Sequence, residues 1–240
     1  MNNKKTIERW KTGAVGWAVV VSLLLIAPLT RAEETTTVED VLERMAAAYS
    51  SVKSLGADLE QVKSYPQLGM TDPPEKGVLH VKRKSENNLL VRLEIQQPEQ
   101  RIVTVGDGRY MLYQPRIKQA IEGRVDTKAS NSSGTSFMSY FMGDLSGAKK
   151  DYGFEVVGEE KVGQHQTVHL RLTALPGGEG YYPQIDLWVD RELWIPVRQE
   201  LVEPNRSVTT LEFGDIRIND EINDSVFKIK LPANVERVKG

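Results

Sequence analysis

Val91-Arg92-Leu93-Glu94-Ile95 places an apolar side chain at every second position and a charge between each pair. Successive side chains of an extended chain point to opposite faces, so the pattern puts valine, leucine and isoleucine on one side and arginine and glutamate on the other. A helix would spread both sets around its circumference. The same alternation runs through Leu55, Ala57 and Leu59 and through Val78 to Val81. It returns in Arg101 to Val105, Arg109 to Tyr113, Gly153 to Val157, Thr167 to Thr173, Gln184 to Asp190, Ile195 to Leu201, Ser207 to Phe213 and Phe227 to Leu231. Short polar stretches such as Gly106-Asp107-Gly108 and Asp190-Arg191-Glu192 separate neighbouring segments. Turns of that length join antiparallel strands, whereas parallel pairing needs a dozen or more residues per connection. The fold class predicted is mainly β (α+β), an antiparallel meander.

Strands that alternate in this way bury one face, so the sheet needs cover on one side. Two segments can supply it. Val38, Val41, Leu42, Met45 and Ala48/Tyr49 recur at spacings of three and four with Glu39, Asp40, Glu43 and Arg44 between them, which predicts an amphipathic helix over Thr37 to Tyr49. Thr37 is a fitting N-cap, with Asp40 three residues on as the acid of a capping box. The second segment runs from Asp126 to Lys150, where Phe137, Met138, Tyr140, Phe141, Met142 and Leu145 form an apolar cluster too dense for a solvated loop and predict one or two short helices. The inward candidates on the sheet are aliphatic: Leu79, Val81, Val91, Leu93, Ile95, Ile102, Leu112, Leu170, Leu172, Ile185, Leu187 and Val189. Periodicity leaves open whether the helical cover fills that face as an ordinary core or leaves a cavity.

Residues 1–32 have the layout of a secretory signal: Lys4, Lys5, Arg9 and Lys11, an apolar run from Ala14 to Leu29, then Thr30-Arg31-Ala32 with a plausible cut after Ala32. The run is short for a membrane span, which needs about 20 residues, and an uncleaved anchor is the alternative. The expected organisation is therefore a signal peptide at 1–32 and a single exported, soluble domain at 33–240. The signal's five cations against Glu8 take +4 from a formal charge of −2 and leave the rest near −6. An acidic surface disfavours nucleic acid, whose phosphates need a basic face. The chain has no cysteine, which excludes disulfides, thiolate metal sites and a cysteine nucleophile.

Catalytic signatures are equally absent. There is no G-x-S-x-G elbow, P-loop or H-E-x-x-H. His80, His165 and His169 are the only histidines. The i, i+4 spacing of the last two chelates on a helix, but on a strand it separates them by about 13 Å. No catalytic residue, cofactor or metal is expected. Trp188 and Trp194 bracket a turn, where they either pack across a hairpin or offer a stacking surface for a sugar.

At Gly77-Val-Leu-His-Val-Lys-Arg83, Gln97-Pro98, Gly106-Asp-Gly-Arg-Tyr-Met-Leu-Tyr-Gln-Pro115 and Lys118-Gln-Ala120, the chain resembles the periplasmic outer-membrane lipoprotein carrier (LolA) family. The likeness continues through Gly134-Thr-Ser-Phe-Met138, the pair of strands around Trp188 and Trp194, and Asp224-Ser-Val-Phe227 with Leu231-Pro232. No single piece is specific; their order and spacing are.

The resemblance implies a single curved, unclosed antiparallel half-barrel with a few short helices over its concave opening, enclosing an apolar cavity for the acyl chains of a lipoprotein. On it, Leu79, Val81, Val91, Leu93, Ile95, Leu112 and Leu187 line the cavity, and Phe137, Met138, Phe141 and Met142 belong to a lid, with plain packing as the alternative for these four. Arg83, by its residues alone a solvated strand-end charge beside Lys82 and Lys84, becomes the family's arginine that hydrogen-bonds the carbonyls of the lid helices. The implied partners are acylated lipoproteins or other lipids, an inner-membrane ABC-type release complex and an outer-membrane acceptor. The implied protein is a periplasmic monomer. Val91, Leu93 and Ile95 stand where the best-known members carry aromatics, and a few extra residues lie between Arg83 and Gln97, which keeps another envelope lipid open as cargo. A sensor of mislocalised lipoproteins using the same fold is a further reading, and an enzyme the last.

Overall fold

A computed structural model describes residues 36–85, 88–124 and 145–240. The helix predicted near the start is α1, Val38–Ser51. Thr37 caps it: its hydroxyl accepts from the Asp40 amide at 3.2 Å, and the Asp40 carboxylate accepts from the Thr37 amide at 3.2 Å. This is the reciprocal arrangement that the spacing predicted, and it supplies partners for two amides at a helix start.

The strands follow as β1 (Ser54–Tyr65), β2 (Met70–Thr71), β3 (Glu75–Ser85), β4 (Asn88–Gln97), β5 (Arg101–Gly106), β6 (Arg109–Gln114) and β7 (Gln119–Arg124). Beyond residue 144 come β8 (Tyr152–Val162), β9 (His165–Ala174), β10 (Gln184–Asp190), β11 (Pro196–Val202), β12 (Val208–Ile218) and β13 (Glu236–Lys239). They form one unclosed sheet in the order β13-β7-β6-β5-β4-β3-β1-β12-β11-β10-β9-β8, with β2 a short addition to β1. Pairing is antiparallel throughout except between β13 and β7, which is parallel. The single parallel pair arises because the C-terminal segment crosses the outer face before it reaches the edge, the kind of long connection that parallel pairing demands.

The turn between β5 and β6 is made by Asp107 and Gly108, both at positive φ (52° and 70°). That backbone matches the right-handed twist of the strands and suits Asp-Gly. Gly77 is required for a different reason, since a Cβ there would lie 2.2 Å from the Glu94 carbonyl oxygen where β3 and β4 slip register.

One prediction fails at the C-terminus. Phe227 to Leu231 alternates like a strand but forms a 3₁₀ turn at Asp224–Phe227 and then irregular chain. Its apolar residues are used for side-chain packing instead: Ile229, Leu231 and Val235 pack on Ile102, Tyr113 and Ala120 from the outside of the sheet. Lys82 and Arg92 fasten the segment through the carbonyls of Ile222 (2.8 Å) and Val226 (3.2 Å). The strand β7, by contrast, was not predicted, because Gln119-Ala120-Ile121-Glu122-Gly123-Arg124 carries too little apolar alternation to stand out. Among the described residues no helix is long and apolar enough to cross a membrane.

Candidate functional site

The register fixes what lies on the inner face. Val91 sits between Val81 and Val105, Leu93 between Leu79 and Val103, and Leu79 opposite Ala57. On the other arm Leu187 pairs with Leu170 and Gln199, and Gln199 with Leu211. α1 covers this face with Val41 and Met45, both fully buried. Leu79, Val81, Val91, Ile95 and Leu187 are buried in one continuous cluster beneath it, and Leu93 packs against that cluster while half-buried. Leu112 lies on the same face, between Val103 and Ile121, but stands outside the cluster and is half-exposed. Six of the seven sequence-predicted lining residues are therefore brought together, and the seventh stands apart from them on the same face. Among the inward candidates Ile102 is a correction: it pairs with Glu94 and Tyr113 and faces outward. Both Ile102 and Val103 are apolar, so alternation alone did not choose between them, and the C-terminal segment provides the outward cover that Ile102 needs.

Arg83, near the end of β3, reaches the C-terminal end of α1. Its Nη2 donates to the Tyr49 carbonyl at 2.9 Å and its Nε to the Val52 carbonyl at 3.1 Å. The guanidinium lies over the Tyr49 ring at 4.4 Å, and the Arg83 amide donates to the Lys53 carbonyl at 2.7 Å. The last carbonyls of a helix have no partners within it and carry the negative end of its dipole. α1 has no basic residue in its last turn, so the sheet supplies the missing cation. Asn219 completes the junction, its side-chain oxygen accepting from the Lys53 amide at 2.7 Å. The opposite end of α1 is tied by Thr36, whose hydroxyl donates to Glu159 of β8 at 3.1 Å, and Arg44 stacks over Trp194 at 4.9 Å. The helix is thus pinned at both ends to different arms of the sheet. Phe137, Met138, Phe141 and Met142 lie outside the described residues.

A cleft of about 670 Å³ opens at the β5–β6 turn, lined by Val105 and Tyr110 from the inner face and by Lys84, Arg109, Arg124, Lys228 and Lys239 around them. Its walls mix charge and hydrocarbon, unlike the aliphatic face beneath α1.

Sequence reasoning missed two features. On the outer face of β8 to β11, Asp186 is buried and accepts from His169 Nε2 (2.6 Å), Arg171 Nε (2.8 Å) and Gln184 (2.5 Å). Trp188 lies between the His169 ring (4.4 Å) and the Arg198 guanidinium (4.7 Å), with its indole N–H on Glu160. His169 is thus held by a carboxylate, and Trp188 packs with a histidine and an arginine of the strands beside it. Alternation hid this group because its members read as the polar face of each strand. The other missed feature is Gln199 on the inner face. Among the described residues no group of three or more histidines and carboxylates could hold a metal ion.

Comparison with known proteins follows the same lines. The outer-membrane lipoprotein carrier protein of Chromohalobacter salexigens is 22% identical over 226 residues, which cover 94% of this chain and 98% of that one. An uncharacterized conserved protein from Thermus thermophilus has a similar structure at 11% identity and TM-score 0.53, covering 84% of this chain and 98% of that one. MucB, a protein of Pseudomonas aeruginosa, is similar at 15% identity and TM-score 0.52, over 80% of this chain and 62% of that one. At such identities the two structures speak for the fold. A family model described as "-like: Uncharacterized protein" matches residues 88–207, half of the chain. The chain belongs to that family, and the named relative bears out the resemblance to the outer-membrane lipoprotein carrier (LolA) family read from its sequence.

Proposed function

We propose that this chain is a periplasmic carrier that shelters lipid acyl chains on the inner face of its sheet, with the acyl groups of lipoproteins as cargo moving from inner to outer membrane. The observation that carries the reading is the Arg83 junction, in which one guanidinium from β3 holds the end of the helix that covers an aliphatic face. The fold and the named relative are those of a carrier and not of an enzyme.

Elementary energetics make the role coherent. Hiding a methylene from water gives about 0.8 kcal/mol, so a chain of ~15 methylenes represents ~12 kcal/mol of exposure. A carrier must offset that and still let go. A helix that can close on the empty face competes with cargo for the same surface and so weakens the grip. In this reading Leu79, Val81, Val91, Leu93, Ile95, Leu112 and Leu187 meet the chains, and Arg83 is the latch. Residues 1–32 direct export and are removed, and residues 33–240 act as a monomer between an ABC-type release complex in the inner membrane and an acceptor at the outer membrane.

A second reading keeps the fold and changes the cargo to another envelope lipid. Val91, Leu93 and Ile95 favour it, because an aliphatic strand shapes the face differently from the aromatics of the best-known carriers. Native mass spectrometry of the protein purified from its own envelope separates the readings. Co-purifying acylated lipoproteins support the first and a phospholipid or glycolipid the second. A protein that stays empty and rejects added lipid refutes both.

A further inference from the structure

Gln199 occupies the middle of β11 with no exposure to solvent, and neither its Nε2 nor its Oε1 has a hydrogen-bond partner. It is not at a rim. Its register partners Leu187 and Leu211 are fully buried on the inner face, and Ile185, Leu170 and Leu201 beside them are aliphatic. A buried carboxamide with both ends unpaired destabilises a fold, and buried polar groups are satisfied in the great majority of cases. Leucine or methionine would fill a similar volume at no such penalty. The amide therefore lowers the stability of the empty, closed protein, and it stands on the inner face among aliphatic side chains that offer it no partner.

We propose that Gln199 is a recognition residue for the carbonyl at the head of an acyl chain. Its Nε2 donates to that carbonyl, and where the chain is amide-linked its Oε1 accepts from the adjacent N–H. An ester satisfies the first contact alone. Pure hydrocarbon satisfies neither. The inference rests on the carrier reading and sharpens it from lipid in general to carbonyl-linked acyl groups with amides preferred.

The test uses protein expressed from the complete sequence and purified from the envelope, as wild type, Gln199→Leu and Gln199→Met. The two variants guard against a packing fault peculiar to either. Each is titrated with an N-palmitoylated peptide, with dipalmitoyl phosphatidylglycerol and with hexadecylpyrene, and each is melted without ligand. The expected result is a higher melting temperature for both variants, unchanged affinity for hexadecylpyrene, and a loss of about tenfold or more for the palmitoylated peptide, one such factor being about 1.4 kcal/mol. A loss confined to the peptide assigns the site to amide-linked cargo, and an equal loss for the phospholipid to acyl carbonyls of either source. Variants that bind all three probes like the wild type overturn the inference and leave the carrier reading standing. Variants that melt lower overturn it too, since the amide would then be satisfied by interior water. A wild type that takes up none of the probes overturns the carrier reading itself.

Discussion

Replacing Arg83 by leucine removes the side-chain half of the junction between β3 and α1 while leaving the backbone half intact. The Arg83 amide still donates to the Lys53 carbonyl at 2.7 Å, so the helix exit keeps its route. What goes is the pair of donations to Tyr49 and Val52 at 2.9 and 3.1 Å and the stacking on Tyr49. A hydrogen bond from a charged donor contributes about 1.5–3 kcal/mol when buried, and the half-buried position of Arg83 puts each near the low end or below it. The ring contact adds about 0.5–1 kcal/mol, and the helix dipole about 0.3–1 kcal/mol. Shared geometry makes these less than additive. The closed arrangement should lose about 2–4 kcal/mol relative to one in which α1 has lifted, a factor of roughly 30 to 1,000 in that equilibrium.

Under the proposed carrier function, that factor acts in opposite directions on uptake and on release. If the competent state is a minor population, raising it improves apparent affinity by the same factor until it dominates. Arg83→Leu should therefore take up an acylated peptide at least as tightly as the wild type and transfer it to acceptor vesicles many-fold more slowly. Hydrogen exchange at the amides of the last turn of α1 should speed up in the empty variant, and Arg83→Lys should fall between, its compact charge lacking the fork that spans two carbonyls. A variant with a lower melting temperature but unaltered uptake, transfer and exchange would refute the reasoning and reduce Arg83 to a structural clamp.

Three other outcomes follow from the same geometry. Leu79→Ala should cost about 2–5 kcal/mol in urea denaturation, because Leu79 is fully buried at the centre of the cluster under α1; a smaller loss would mean the face collapses easily around missing atoms. Thr37→Ala removes the N-cap and should cost about 1 kcal/mol, with Thr37→Asp restoring most of it in the same assay. His80 is held below the usual imidazole range by burial first and then by the charges of Arg217 and Arg92, against a weaker pull from Glu94. The unfolded chain thus takes a proton near pH 6.5 that the folded one refuses, and stability falls as pH drops through that value until the lower folded pKa is passed. His80→Phe should flatten the decline in melting temperature between pH 7.5 and about 6, and an unchanged slope would assign the effect to another group.

Legibility in the sequence followed how local the signal was. The capping box was readable because Thr37 and Asp40 are three residues apart. The strands were readable wherever apolar residues on one face alternate with charged ones on the other, as in Val91 to Ile95. Reading weakened where both faces are buried. At β5 the outward Ile102 and the inward Val103 look alike until the returning C-terminal segment is placed, and that segment lies more than a hundred residues further along. Arg83 was singled out by resemblance, since nothing near it in sequence says that the end of α1, some thirty residues earlier, lacks a cation of its own. The His169 and Trp188 group and Gln199 escaped for the opposite reason. The former looks like an ordinary polar face, and the latter is one amide whose isolation appears only when three strands are set in register.

The placement of those two polar features bears on how such a sheet could release what it holds. In the outer group Asp186 accepts three donors, which ties β9 to β10 from outside. Gln199, one strand over on the inside, is unengaged and raises the free energy of the closed core. Bonding on one side and frustration on the other set a limit on how well the empty face can seal itself. A core of leucine alone would close more tightly and would oppose loading by the full difference. With the latch contributing about 2–4 kcal/mol against ~12 kcal/mol for one sheltered chain, closure offsets a fraction of the cargo's burial. On the proposed carrier role, an acceptor would supply the rest by hiding the chain at least as well, which would make transfer directional toward a deeper apolar site without a separate energy source at the carrier.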